Sequence, residues 1–400
     1  MIEVLRSKTY VSHIKKIKKA LAFLLLSFIL VCCNKINPSQ YPDKNVFTYD
    51  LEKKVLDGAN TFKLSKISNS TLYVNLKKQD SYTISKVEKV EIDDSLIFVF
   101  EKDEGIFIYN LKGDLLNSIR KDSSFLLKRP IFFNLDKIRK HILIYDDDLR
   151  SLLFFNYNTE FVKEIKLIKE YFQYFAPFYD DRVLAYTIRP FTQYNRGFNM
   201  ALIMGSGEIS ERFLYRKEPL SEKNTLAIAI NRLYTYHDTL SLWQFYYDTI
   251  YRILPDAVLK PKYSFLLGSL KMPTNIFDNV KDANNSQKYA SIRDVIETEN
   301  YFFIKVLSNA KVRHLVIDKI SNEIWCIGNS KIENDVDGVI DFWPAGAIND
   351  SILFMTMHPL EILQSIELNY NVKAALPEFY SSLKYASVYD NPWLIIVTLN

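Results

Sequence analysis

Ile106–Ile119 reads IFIYNLKGDLLNSI, and Leu152–Ile165 reads LLFFNYNTEFVKEI. The two lie over each other without a gap: an apolar run, an Asn, a polar turn, an acidic residue, further apolar residues and a closing Ile. Short runs of β-branched and aromatic residues set between polar turns are the mark of strands, so this is one β-hairpin used twice. Leu202–Ile209 (LIMGSGEI) repeats it, and Leu315–Ile324 (LVIDKISNEI) does so with one residue more in the turn. A further hairpin is expected over Leu242–Tyr251. Gly113 and Gly207 offer the left-handed conformation that a tight hairpin needs; in the other two copies Asn158 and Asn322 are expected to take it.

Outward from these hairpins, strand-like runs beginning near Leu96, Ile142, Val183, Leu240, Phe302 and Ile352 mark six blade starts, each followed by an outer hairpin. The units average roughly 60 residues, longer than the commonest propeller repeats. The expected fold class is all-β, a six-bladed β-propeller over residues 46–400. Its ring is closed by Trp393–Leu399 (WLIIVTL) beside N-terminal strands around Thr61–Leu76. A β-sandwich would share the local pattern, but the hairpin recurs along nearly the whole chain, which favours the radial array. No stretch sustains an amphipathic helical period for long.

The N-terminal MIEVLRSKTYVSHIKKIKKALAFLLLSFILVCCN sets Arg6, Lys8, Lys15, Lys16, Lys18 and Lys19 ahead of an apolar stretch from Ala20 to Val31. This is the pattern of an export signal, and its apolar part is shorter than the roughly 20 residues that span a bilayer. Leu30-Val31-Cys32-Cys33 resembles a bacterial lipobox. Residues 1–32 are therefore expected to be a signal peptide, and Cys33 the lipid-bearing residue, with Cys32 as the alternative. Residues 33–45, with Asn34-Lys35-Ile36-Asn37-Pro38-Ser39-Gln40, are expected to be a polar tether. The expected location is the cell envelope of a Gram-negative bacterium, on the outer membrane through lipid, facing periplasm or exterior. Residues 1–32 hold six Lys/Arg and one Glu, a surplus of five, so a chain beginning at Cys33 carries −1 where the whole carries +4. Nucleic-acid binding through a basic field has no support.

Chemistry-bearing residues are sparse. Cys326 is the one thiol outside the cysteine pair, so there is no intrachain disulfide framework, and Ile324-Trp325-Cys326-Ile327 reads as a buried strand. His13, His141, His237, His314 and His358 are scattered, without zinc spacing. No GxSxG elbow, Walker loop or GxGxxG fingerprint occurs, so no catalytic residue is assigned. Asn334-Asp335-Val336-Asp337-Gly338, with Trp343 nearby, is the most conspicuous polar motif. Its alternate carboxylates would suit Ca²⁺, although it lacks the late bidentate Glu of an EF-hand; the alternative is an Asx-type turn. Asp146-Asp147-Asp148 and Asp180-Asp181 read as turns. With 26 Tyr, 27 Phe and 4 Trp, rings are plentiful enough both to pack blades and to line a groove. Phe172-Gln173-Tyr174-Phe175 and Phe191-Thr192-Gln193-Tyr194-Asn195-Arg196 have the mixed ring and amide character of ligand loops.

Several segments in order resemble the six-bladed β-propeller family found among lipoproteins of Bacteroidota. They are Asp248-Thr249-Ile250-Tyr251-Arg252-Ile253, Pro261-Lys262-Tyr263, Asn334 to Gly338 with Phe342-Trp343-Pro344, and Asp390-Asn391-Pro392-Trp393. The resemblance implies fold and address; that family has no established common activity. The chain departs from it at Lys121–Pro130, where members have a Gly-rich loop, and at Val339, where they have a second Gly. The expected function is noncatalytic binding of a glycan, peptide or envelope protein, with the lipid anchor in the membrane and no cofactor. Two alternatives stand beside it. One is a propeller enzyme of hydrolase, lyase or lactonase type, acting on a sugar, lactone or peptide through axial carboxylates and Ca²⁺. The other is a structural member of an envelope complex.

Overall fold

The computed structural model describes residues 46–56, 60–78, 82–121, 126–167, 172–187, 197–215, 232–237, 239–244, 247–271, 289–367 and 377–400. Cys32, Cys33, the signal and tether segments, and Phe191–Arg196 lie outside them.

The chain opens with strand β1 (Phe47–Asp50), helix α1 (Glu52–Leu56), a 3-10 turn at Leu64–Lys66 and strand β2 (Ser68–Asn75). Blade 1 follows as β3 (Lys89–Asp93), β4 (Leu96–Glu101), β5 (Gly105–Asn110) and β6 (Leu115–Arg120). Blade 2 is β7 (Pro130–Asp136), β8 (His141–Asp146), β9 (Ser151–Asn156) and β10 (Phe161–Lys166). Blade 3 is β11 (Tyr174–Pro177), β12 (Val183–Tyr186), β13 (Phe198–Ile203) and β14 (Ile209–Tyr215). Blade 4 is β15 (Arg232–Tyr236), β16 (Thr239–Trp243), β17 (Thr249–Ile253) and β18 (Leu259–Leu266), with β1 added in parallel outside β18. Blade 5 is β19 (Ala290–Glu297), β20 (Tyr301–Ser308), β21 (Lys311–Asp318) and β22 (Ile324–Gly328). Blade 6 takes β23 (Gly346–Asn349), β24 (Ile352–Met357) and β25 (Trp393–Leu399) from the C-terminus and β2 from the N-terminus.

The first strands of the blades touch in series, β7 to β11, β15, β19, β23 and β3, and Lys89 Nζ of β3 reaches the carbonyl of Phe133 on β7 at 3.0 Å. Six sheets thus stand in a ring, the six-bladed propeller expected of the sequence. The ring closes as anticipated, with β2 antiparallel to β25 from Ser68↔Leu399 to Asn75↔Trp393.

Strand composition follows from this geometry. In blades 1 and 2 the middle strands are buried on both faces, so β4, β5, β8 and β9 read as nearly continuous apolar runs without alternation. In β8, Ile142 and Ile144 pack toward blade 1, while Leu143 and Tyr145 pack toward blade 3. The same division fills all six interfaces, each with its own apolar cluster.

The repeated hairpin joins third and fourth strands, and the Asn shared by its first two copies has a local task. Asn110 Oδ1 accepts from the backbone N–H groups of Lys112 (2.9 Å) and Asp114 (3.0 Å), and its amide donates to the Asp114 carboxylate at 3.0 Å. Asn156 does the same with Asn158, Glu160 and the Glu160 carboxylate. The acidic residue of the repeat is thus the partner of its Asn, a side-chain substitute for backbone turn bonds.

Two expectations are corrected and two are refined. The blade starts named from sequence are the second strands: each blade begins one strand earlier, on short first strands such as Tyr174–Pro177 and Gly346–Asn349. The hairpin expected over Leu242–Tyr251 is present, with Leu242 opposite Tyr251; it is the middle hairpin of blade 4, and the outer one turns through Ala257, at φ 61°. In the second copy Thr159, at φ 69°, takes the left-handed position instead of Asn158, whereas Gly113, Gly207 and Asn322 take it as expected. Blade 6 also carries helices α2 (Pro359–Glu367) and α3 (Pro377–Leu383) between β24 and β25. Ile362 and Ile366, four residues apart on one face, seat α2 in the core. A helix this short leaves little periodic signal.

Antiparallel order fixes two rims. Turns from first to second and from third to fourth strand lie on one, which we call the lower. Turns from second to third strand, and links between blades, lie on the other, the upper.

Candidate functional site

The polar motif at Asn334–Gly338 is occupied by the fold. Asn334 is buried, and its Oδ1 accepts from the N–H groups of Val336 (3.2 Å) and Asp337 (3.3 Å), an Asx-type turn. Its amide donates to Asp337 Oδ1 at 2.7 Å. Asp337 also accepts from Val339 N–H at 2.9 Å, from Tyr73 OH at 3.1 Å and from Thr71 Oγ. Asp335 accepts the backbone N–H and hydroxyl of Ser65, at 2.9 and 2.7 Å, and these bonds hold its carboxyl below the ordinary aspartate range. The motif is a clasp on the N-terminal segment that closes the ring. Among the described residues, no group of three His, Cys, Asp or Glu is placed to hold a metal ion.

The other family-like motifs serve packing. Trp343 is buried and stacks on His314, centroids 4.0 Å apart at 18°; burial pushes the His314 imidazole below its ordinary range, so the ring is neutral. Arg252 binds the fully buried Glu297 carboxylate through both terminal nitrogens, at 2.9 and 2.6 Å. Lys319 Nζ joins at 3.1 Å and Tyr234 OH at 2.5 Å, which welds blade 4 to blade 5. Lys319 donates as well to Tyr236 OH and the Thr298 carbonyl, so its three protons are used. Burial lowers its pKa, and the Glu297 carboxylate beside it works in the opposite direction. Asn391 Oδ1 takes Ile84 N–H at 2.8 Å and ties blade 6 to the link before blade 1. Cys326 is buried within β22.

On the upper rim, blades 1, 2 and 3 enclose a cleft of about 590 Å³, within the usual size of a small-ligand site. Lys102 and Asp103 come from the β4–β5 turn, Lys121 follows β6, Lys128 and Arg129 lead into β7, Asp147 and Asp148 lie in the β8–β9 turn, and Gln173 and Tyr174 begin blade 3. Ile131 and Phe132 form the apolar wall. The Phe132 and Tyr174 rings meet edge to face, 5.9 Å apart at 79°.

Asp146 organises this site without lining it. It closes β8 and is fully buried; one carboxylate oxygen accepts the N–H groups of Lys128 (2.7 Å) and Arg129 (2.8 Å), the other that of Leu149 (3.0 Å). Both cleft segments are thereby fixed by one side chain. Glu101 does the same after β4, accepting Ser85 N–H at 2.9 Å and Tyr82 OH at 2.7 Å. An acid directly after an apolar strand is therefore the anchor of the preceding link. The cleft's charges are partly matched: Arg129 pairs with Asp147 and, at 3.0 Å, with Asp148, and Lys121 pairs with Glu104 at 2.5 Å.

Sequence reasoning found part of this region, since Gln173 and Tyr174 belong to an aromatic–amide segment named from sequence, whereas Phe172 and Phe175 beside them are buried in the blade interface. The basic residues were missed as ligand groups, although Lys121–Pro130 is where the chain departs from the family it resembles. Asp147 and Asp148 are turn residues as expected, and both also face the cleft. Asp180 and Asp181 lie in a lower-rim turn, where Asp181 meets Arg139 of blade 2 at 2.9 Å.

Comparison with known proteins fits this architecture. Residues 46–398 match the family described as "Domain of unknown function (DUF4934)". No curated protein matches the chain. Among solved structures, a Bacteroides fragilis protein described as exported is similar at 15% identity, over 89% of this chain and 99% of that one, with a TM-score of 0.69. A DUF4221-family member from Bacteroides vulgatus is similar at 10% identity over 83% and 97%, TM-score 0.46. Virginiamycin B lyase from Staphylococcus aureus is similar at 12% identity over 72% and 80%, TM-score 0.39. At such identities the first of these likenesses is one of fold, and the other two carry no further weight.

Proposed function

The chain belongs to the DUF4934 family, and from that premise we propose that it is an exported lipoprotein whose propeller binds a ligand, without catalysis, in the upper-rim cleft of blades 1–3. Residues 1–32 are the signal, Cys33 carries the lipid, and residues 33–45 tether the ring to a membrane of the cell envelope. The ligand is a glycan, a peptide or an exposed part of an envelope protein.

The observation that carries the reading is the composition of the cleft. Rings, an amide and partly matched charges line it, on segments held by the buried Asp146. Such groups orient a ligand through contacts and hydrogen bonds. The polar motif that first suggested chemistry is consumed in closing the ring. Support for export comes from the N-terminal pattern, and a similar fold in a protein described as exported agrees with it.

One experiment tests both halves. Cells producing the full chain are fed an alkyne-tagged fatty acid, the protein is captured from solubilised membranes, and glycans and proteins bound to it are identified. Label is expected on the wild type and absent from Cys33→Ser, with a companion recovered by the wild type and lost from Phe132→Ala. Label surviving in Cys33→Ser moves the lipid to Cys32; an unlabelled wild type ends the lipoprotein reading. Equal recovery by Phe132→Ala removes binding from the cleft.

A further inference from the structure

We infer that the cleft on blades 1–3 takes an acidic saccharide, a chain of pyranose rings bearing carboxylates, with Lys102 and Lys128 as the groups that recognise its charge. This rests on the reading of the cleft as the binding site and names the ligand class.

The charges left over after internal pairing decide the class. Arg129 is engaged by Asp147 and Asp148, and Lys121 by Glu104. Among the described residues, the Lys102 and Lys128 ammonium groups have no side-chain partner, and neither has the Asp103 carboxylate. A ligand must therefore satisfy two free cations and one free anion, beside the outer oxygen of Asp148 and the lone pairs left on Asp147, whose oxygens already accept from Arg129 and, at 3.3 Å, from Tyr145 OH. A polyanion such as a chain of phosphates answers the lysines but is repelled by three carboxylates. A neutral saccharide donates hydroxyl protons to the carboxylates but offers no anion to the lysines. A saccharide with hydroxyls on most carbons and a carboxylate on some rings answers both. Its hydroxyls donate to Asp103, Asp147 and Asp148, and its carboxylates accept from Lys102 and Lys128.

The wall supports the same class. Phe132 and Tyr174, set edge to face, offer aromatic carbon to the C–H faces of pyranose rings. A chain of net charge −1 from Cys33 onward does not attract polyanions by its overall field, so recognition of acid has to be local.

Binding of tetragalacturonate and of neutral cellotetraose to the full-length protein is measured by calorimetry at low and at raised salt. Tetragalacturonate is expected to bind in preference, and more weakly as salt rises. Lys102→Gln and Lys128→Gln should each weaken it by roughly two- to fivefold, the range of exposed ion pairs. Lys112→Gln, which removes the same charge from a lower-rim turn, should change nothing. Cellotetraose binding equally well, and unchanged by the lysine variants, overturns the acidic class while leaving the cleft as a binding site. Binding of neither probe also overturns it. Lys112→Gln acting as strongly as Lys128→Gln overturns it by showing a diffuse charge effect.

Discussion

Gly113 sits in the outer turn of blade 1 with φ +78°, and its carbonyl accepts Lys77 N–H at 2.8 Å, next to the outermost strand of blade 6. A Cβ at this position would overlap the Asn75 carbonyl oxygen, so the residue is fixed by a close approach between blades as well as by its own conformation. Gly113→Ala is expected to cost about 2–4 kcal/mol in urea unfolding, the left-handed penalty plus displacement of backbone. Gly205→Ala, where the backbone is not left-handed and a Cβ meets nothing within 4 Å, should stay within about 0.5 kcal/mol; equal losses at both would show that neither the left-handed backbone nor the close approach sets the cost. At the equivalent position of blade 2, Thr159 is left-handed although β-branched. Asn117 of blade 1 donates its amide to the Thr159 hydroxyl at 2.8 Å and to the Asn158 carbonyl at 3.2 Å. Local preference pointed to Asn158; the neighbouring blade decides for Thr159, which no single-turn rule could show.

The strands that were easiest to recognise in the sequence are those buried on both faces, such as LIFVFE of β4 and HILIYD of β8. First strands are harder to recognise because some are only four residues long, as YFAP and GAIN are, and others carry charged residues, as KVEID and ASIRDVIE do. Six units could therefore be counted correctly while each was framed one strand late. Asn334–Gly338 illustrates the opposite difficulty: its residue types suit both a metal loop and an Asx turn, and only the partners on Ser65, Thr71 and Tyr73 separate the two. Asp337→Ala removes the acceptor shared by four donors, so it should destabilise the protein by about 2–4 kcal/mol, whereas Asp335→Ala, at an exposed site, should cost about 1 kcal/mol or less. Thermal unfolding with and without Ca²⁺ checks this. Equal midpoints for the wild type in Ca²⁺ and in chelator are expected, and a large rise with Ca²⁺ would restore the metal reading.

At the scale of the ring, the cleft was illegible because its lining is drawn from turns and links of three blades, brought together only when those blades stand side by side. Closure was legible because the last strand is strongly apolar and needs a partner, although the use of β1 as a fifth strand on blade 4 was not foreseen. If the joint of β2 with β25 limits stability, a disulfide there should help. Ser70→Cys with Thr398→Cys, opposite each other on an exposed edge of the sheet, is expected to add about 2–5 kcal/mol when oxidised and nothing when reduced. An unchanged melting temperature in the oxidised form would place the weakest point elsewhere. The joint also imposes an order of events. Ser68 and Thr398 bond across 330 residues of chain, yet a chain delivered N-terminus first presents the first of them long before the second. During that interval five blades can stack while Ser68–Asn75 waits with both hydrogen-bonding edges open, a template for any passing strand. Folding thus finishes with a handshake between the two ends, and a chain broken off before Trp393 lacks the partner of Ser68–Asn75, leaving that strand open to pairing with other chains.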